Sequence, residues 1–283
     1  MFEPLVSLPP TLSDAEGRWI VIDGRSNVLL IDGAFPIGRT CPVEGAEPHL
    51  LGADDGQPIW TLFVNPVKQD LGAWGEVGEF VNMRPLFGQI PDVDWALAGR
   101  ASQVLTWARD HKFCGRCGTE TEAHPSDRAR QCPKCGLHSF PRISPAVIML
   151  VERSTDTGPE VLLAWGRQFP GRFFSALAGF LEPGESLEEC VIREVAEETS
   201  IVVDDVAYFG SQPWPFPHSI MIGFTAQYVS GEISIQEEEI VEAGWFGPNE
   251  LPPVPRGGPV SSANGGGMSI AGWLIEAWLE GLS

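Results

Sequence analysis

The segment GFLEPGESLEECVIREVAEETSI, residues 179–201, crowds Glu185, Glu188, Glu189, Glu194, Glu197 and Glu198 into one short stretch. Like charges three or four residues apart on a helix repel by about 0.2–0.5 kcal/mol per pair. Such a face is either solvated or holds something positive. Ser186 and Glu189 form an S-x-x-E capping box, which predicts a helix over 186–199. On that helix Glu194, Glu197 and Glu198 fall at i, i+3 and i+4 and share one face. Val191, Val195 and Ala196 are expected on the face that packs on a core. The loop from Gly179 to Gly184 turns Glu185 back toward the carboxylates, and Arg193 is placed to neutralise one of them. Clustered carboxylates suit Mg²⁺ or Mn²⁺, hard cations that share oxygen ligands with substrate phosphates.

Upstream of the glutamates, ISPAVIMLVER (143–153) reads as a buried strand, DTGPE (156–160) as a turn and VLLAW as its partner strand. Downstream, VAYFGSQPW, IMIGFTAQYV and EAGWF are strand candidates. PPVPRGGPVSSANGGG (252–267) is expected to be a mobile loop, and SIAGWLIEAWLEGL closes the chain as an amphipathic helix. The first ninety residues read as mostly β, with two strands around the DGRSN turn in 18–31 and another at 58–64. A helix with one wet face is predicted over 92–110, where Trp95, Leu97, Val104, Leu105, Trp107 and Ala108 are spaced helically. These elements divide the chain into an N-terminal β-rich domain (1–110), a cysteine segment (111–140) and a third domain (141–283).

Four of the six cysteines form two tight pairs, Cys114-x2-Cys117 and Cys132-x2-Cys135, with fourteen residues between the pairs. Each pair sits in a glycine-bearing turn, CGRCG and CPKCG, that lets both thiolates face one ion. Four thiolates close a tetrahedral Zn²⁺ shell and leave no position for water, so this metal is structural. Cys41 and Cys190 read as buried small apolar residues.

The chain carries 18 Lys and Arg against 38 Asp and Glu, a formal charge of −20. That balance opposes nonspecific nucleic-acid binding, which runs on phosphate neutralisation, and suits a protein that holds divalent cations. A local basic patch around Arg128, Arg130 and Arg142 is the exception the sequence allows. The N-terminus lacks the basic and apolar regions of a secretion signal, and no run approaches the roughly 20 apolar residues of a membrane span. The expectation is a cytoplasmic protein with no membrane partner.

Residues 179–201 resemble the Nudix box, G-x5-E-x7-R-E-U-x-E-E-x-G-U with U aliphatic, at Gly179, Glu185, Arg193, Glu194, Val195, Glu197, Glu198 and Ile201. Ser200 stands where the family has glycine. That glycine ends the helix in the left-handed region, where Ser costs about 1 kcal/mol. Residues 211–219, SQPWPFPHS, resemble a signature of the NADH pyrophosphatase branch, and the three prolines suggest a rigid loop rather than an ordinary strand. HKFCGRCG, SFPRISPAVIML, SALAGF and SIAGWLIEAW resemble further segments of that branch. The likeness covers about 95–283 closely and the first ninety residues loosely.

The resemblance implies an α/β fold: a Nudix α/β/α sandwich with a mixed sheet, preceded by a four-Cys zinc ribbon and an N-terminal β-rich domain. It implies a homodimer that hydrolyses NAD(H) to AMP and NMN(H) with Mg²⁺ or Mn²⁺. It also implies removal of the NAD cap from the 5′ end of RNA as an alternative activity of the same centre. A nucleotide sensor without catalysis is disfavoured, because no box glutamate is lost. The metal ligands it implies are Glu194, Glu198, Glu239 and the carbonyl of Ala178, with Glu237 and Glu238 as neighbours that blur the choice of Glu239. Glu198, Glu194 and Glu197 are the implied catalytic carboxylates. Implied substrate contacts are Asp127, Phe140, Gln212, Pro213, Trp214, Pro215, Phe216, Pro217, His218, Ser219 and Ala271, with Arg84 a further N-terminal candidate.

Overall fold

The computed structural model describes residues 1–169, 171–252 and 269–282. The chain forms two compact units, Met1–Arg142 with Pro215–Pro217, and Ile143–Trp214 with His218–Ser283.

In the first unit, strands β1 (Phe2–Pro4), β2 (Gly17–Asp23), β3 (Asn27–Leu30), β4 (Ile37–Gly38), β5 (His49–Asp54), β6 (Gln57–Val64) and β7 (Glu79–Asn82) form one sheet. Its order is β1-β5-β6-β2-β3-β7, with β4 on β2. A short helix, α1 (Ala73–Val77), precedes β7, and α2 (Asp92–Asp110) follows it. Side chains of β2 alternate between two cores: Ile20 and Ile22 meet the buried face of α2, while Trp19 and Val21 enter a second cluster with Leu62 and Val64. The expected boundaries of α2 are met residue for residue, because Pro91 starts it and its apolar stripe runs to Ala108. Three two-residue strands, β8 (Glu122–Ala123), β9 (Arg130–Gln131) and β10 (His138–Ser139), make the small sheet that carries the cysteine turns.

The second unit is a mixed sheet of β11 (Ser144–Thr155), β12 (Gly158–Gly166), β13 (Leu177–Phe180), β14 (Val202–Trp214), β15 (Ser219–Ser230) and β16 (Ile240–Phe246). The order is β14-β15-β11-β12-β16, with β13 on β11. Only β11 and β15 run parallel; the other pairs are antiparallel. Helix α3 (Leu187–Thr199) covers one face and α4 (Ile270–Gly281) the other. The apolar run in β11 explains this sandwich. Val147, Met149 and Val151 point into the cluster with α3, and Ile148 and Leu150 into the cluster with α4. A strand buried on both faces reads as continuously apolar.

Three local expectations change. The 156–160 turn shrinks to Asp156–Thr157, because β11 and β12 pair as far as Thr155↔Gly158 and close in a two-residue hairpin loop. Ala196 is exposed. Each residue turns a helix by about 100°, so the buried stripe below Val191 and Val195 continues at Thr199 instead. SQPWPFPHS is largely strand: Ser211–Trp214 finish β14, Ser219 begins β15, and Trp214 pairs with Ser219 across the turn. The loop expected over 252–267 lies, beyond Pro252, outside the described residues.

Candidate active site

Helix α3 begins as its sequence dictates. The Ser186 hydroxyl accepts from the Glu189 amide at 3.2 Å, and the Glu189 carboxylate accepts from the Ser186 amide at 2.8 Å. The buried Val191 and Val195 anchor it to the sheet, each burial stabilising by roughly 1.5–3 kcal/mol. The helix ends at Ser200, whose φ of 62° is left-handed. Its hydroxyl donates to the Ser234 carbonyl at 3.3 Å, a contact a glycine there would lack.

Arg193 does more than neutralise one carboxylate. Its guanidinium donates to both oxygens of Glu185, and at 2.9 Å to both Glu194 and Glu197. A fifth bond reaches the Phe180 carbonyl of β13 at 3.0 Å. Glu185 is held down to about 2, by Arg193 first and then by the Glu182 amide. Beside this clamp a Cβ built on Gly179 would lie 1.8 Å from Glu194 Cδ. Only glycine lets the Glu194 carboxylate lie against β13, next to Ala178.

Glu198 sits one turn further on and is only 5% exposed. Its Oε2 has no hydrogen-bond partner among the described residues. Burial pushes its pKa up to about 8, with Glu194, Glu239 and Glu197 adding repulsion. Burial also raises Glu194, opposed by Arg193 and reinforced by Glu197 and Glu239. Glu239 is thus the residue of its acidic run whose charge reaches both. The run is docked by backbone bonds: Gln236 donates to the Glu198 carbonyl at 3.1 Å and Ser234 to Thr199 at 2.9 Å. Arg167 fixes its far end, its amide donating to the Glu239 carbonyl at 2.8 Å and its side chain to the Glu237 carbonyl. Arg167 had no signal in the sequence, since it lies 70 residues before the carbonyl it holds. An unpartnered buried carboxylate oxygen that feels the charges of Glu194 and Glu239 fits a hard divalent cation, which supplies the missing positive partner, although the three carboxylates do not all lie within 4.8 Å of one another.

The four cysteines converge as expected. Among the described residues, Cys114, Cys117, Cys132 and Cys135 are the one group of three or more potential ligands lying within 4.8 Å of each other. Sulfur–sulfur distances of 3.6 Å (Cys114–Cys135) and 3.5 Å (Cys117–Cys132) exceed any disulfide and suit thiolates around one ion. Gly118 and Gly136, at φ of 72° and 70°, close the two matching turns.

The residues implied for substrate divide between the units. Gln212, Pro213, Trp214, His218, Ser219 and Ala271 belong to the second unit; Asp127, Phe140, Pro215, Phe216 and Pro217 to the first. Gln212 is buried and its Oε1 accepts from the Ile270 amide at 2.9 Å, tethering the start of α4. Ala271 is buried in the core beneath α4. His218 Nδ1 lies 3.2 Å from the Ser144 hydroxyl. Phe216 packs on the first unit's core, with the Arg84 guanidinium 4.0 Å from its ring centre. Phe140 is 60% exposed. Asp127 is exposed and lies 3.1 Å from His124. Two of the three arginines of the expected basic patch, Arg128, Arg130 and Arg142, spend guanidinium donors inside the first unit. Arg128 donates to the carbonyls of Leu5, Leu50 and Leu51, and Arg130 to the hydroxyl and carbonyl of Thr121, neutral acceptors that leave both charges in place.

Comparison with known proteins covers nearly the whole chain. Residues 142–262 match the NUDIX domain, 109–140 the NADH pyrophosphatase zinc ribbon domain, and 15–107 the NADH pyrophosphatase-like rudimentary NUDIX domain. The NAD-capped RNA hydrolase NudC of Pseudomonas aeruginosa is 47% identical over 268 residues, 93% of this chain and 89% of that protein. The protein of the same name from Pseudomonas fluorescens is 43% identical, covering 94% of this chain and 91% of its own. A crystal structure of a NUDIX hydrolase from Nitrosomonas europaea aligns at 25% identity and a TM-score of 0.42, over 50% of this chain and 80% of that one.

Proposed function

From the chain's place in the NADH pyrophosphatase branch of the Nudix hydrolases, the family to which it belongs, we propose that it hydrolyses the pyrophosphate of NAD(H), giving AMP and NMN(H). Water adds across the P–O–P bridge: one phosphate takes the water oxygen and the other leaves with the bridging oxygen. The observation that carries this reading is the buried, unpartnered Oε2 of Glu198 beside Glu194 and within reach of the Glu239 charge.

Glu194, Glu198, Glu239 and the Ala178 carbonyl are the residues that would hold Mg²⁺ or Mn²⁺. A divalent ion held there offsets the diphosphate charge and lowers the pKa of a bound water. Arg193 fixes the orientation of Glu194 and Glu197, and Glu198 takes the proton of the attacking water or orients it. Gln212–Ser219, Phe140, Asp127 and Ala271 form the substrate-binding set, with aromatic rings to stack the adenine or nicotinamide. The zinc of residues 111–140 is structural, and this segment lies in sequence between the parts 1–110 and 141–283. The protein acts as a cytoplasmic homodimer. No helix among the described residues is long and apolar enough to cross a membrane.

NAD-capped RNA is a second substrate of the same centre, a reading supported by the name of relatives that match over 93% of this chain. The test is chromatography of the products after incubation with NADH, with and without Mn²⁺. AMP and NMNH that vanish when Mn²⁺ and Mg²⁺ are withheld are the expected result. Intact NADH under both metals would refute the proposal.

A further inference from the structure

The first unit contains a cleft of about 1050 Å³ lined by none of the residues assigned to the pyrophosphate chemistry. Arg25, Lys68, Arg109, Lys112 and Arg130 line it, five of the chain's 18 Lys and Arg, around the half-buried ring of Phe63. In a chain of formal charge −20, that concentration is out of proportion. Two carboxylates share the lining, Asp23 and Glu47. Asp23 is turned inward and spent on its own turn, accepting from the amides of Arg25 and Asn27 and from the Asn27 side chain. Arg109 and Lys112 are partly offset by Asp110 and Glu120, at 2.8 Å and 3.6 Å. Arg25 and Lys68 are exposed, and neither side chain has a hydrogen-bonding or ionic partner among the described residues. Arg109 also lies 5.4 Å from the Phe63 ring centre, so an aromatic face and its cation stand together at the wall.

We propose that this cleft binds the single-stranded RNA chain of a capped substrate, with Arg25 and Lys68 on phosphates and Phe63 offering a stacking face to a base. The inference rests on the reading of capped RNA as a substrate. A cationic groove with an aromatic wall is the general solution for gripping single strands without sequence preference. A strongly acidic chain can take a polyanion where basic side chains are gathered in one cleft.

The test uses the full chain and its Arg25→Glu/Lys68→Glu double variant. Three quantities are compared: NADH turnover, cleavage of a NAD-capped 20-nucleotide RNA, and anisotropy of a 3′-labelled uncapped RNA of the same sequence. The expected result is unchanged NADH turnover, with RNA affinity weakened about tenfold or more at low salt and the slope of log affinity on log salt reduced by about 1.4. Uncapped RNA binding equally well to both proteins would overturn the inference, whatever happens to capped RNA. Capped RNA left uncut by the wild type, while uncapped RNA still binds and the variant weakens it, would refute the capped-substrate reading and leave the RNA cleft standing. Displacement of the RNA by micromolar AMP, with the variant losing AMP affinity equally, would identify a mononucleotide site and overturn the RNA assignment.

Discussion

Replacing Glu198 by Gln should make the protein more stable and less active at once. The carboxyl is 5% exposed, lacks a partner for Oε2, and has its pKa raised from 4.5 to about 8. A raised carboxyl pKa means the folded chain keeps a proton that the unfolded chain releases, so stability falls as pH rises from about 4.5 to about 8. At pH 7 the two pKa values imply a cost of about 3 kcal/mol as an upper figure, because Glu194 and Glu239 share the strain and relax with it. Gln is isosteric and uncharged, and removes that cost. The assay is thermal unfolding of wild type and Glu198→Gln in buffer freed of Mg²⁺ and Mn²⁺ by dialysis, with the ribbon zinc retained. The variant should match wild type near pH 4.5 and melt progressively higher as pH rises, by roughly 2–4 °C per kcal/mol. Added Mn²⁺ should raise the wild-type Tm and leave the variant nearly unmoved, because binding to the folded state stabilises by mass action. A variant equal to or below wild type at every pH would refute the electrostatic account of Glu198.

Other substitutions probe the supporting parts. Gly179→Ala puts a methyl 1.8 Å from Glu194 Cδ, so turnover should drop by about 10–100-fold with the fold intact, as read by steady-state kinetics and circular dichroism. Arg193→Gln removes the partner that holds Glu185 at about 2. Wild-type stability from that pair is complete above pH 4.5 and lost as pH falls through about 2, so the variant's acid-unfolding curve should flatten across that window. Cys117→Ser opens the four-sulfur shell, and bound zinc measured by atomic absorption should fall below one per chain while the protein loses thermal stability. Ser200→Gly relieves a φ of 62° but deletes the bond to Ser234, so its Tm should change by only about 2 °C and its turnover little.

What could be read from residues alone was what depends on local spacing. The capping box, the carboxylate face of α3 and the cysteine turns need only helical or turn geometry, and each appears where its spacing puts it. Contacts made through the tertiary fold could not be read. Arg193 meets Glu185 eight residues back only because the intervening loop reverses, and it meets Phe180 only because β13 pairs with β11. Glu239 is tied down by its amide donating to the Gln236 carbonyl and by the Arg167 amide donating to its own carbonyl, two contacts no periodicity announces. Arg128 reads as a free guanidinium in a polar loop, whereas three backbone carbonyls take its donors. The prolines of SQPWPFPHS suggested a loop, but edge strand β14 tolerates Pro213 because its partner β15 lies on one side only.

The most direct measurement of the central claim is NADH turnover titrated with Mn²⁺, wild type beside Glu198→Gln, with both mononucleotide products quantified. The account predicts equimolar AMP and NMNH from the wild type, rising with Mn²⁺ to saturation, and a loss of about 100-fold or more in the variant. Equal turnover by the two proteins, or turnover indifferent to the metal, would contradict it.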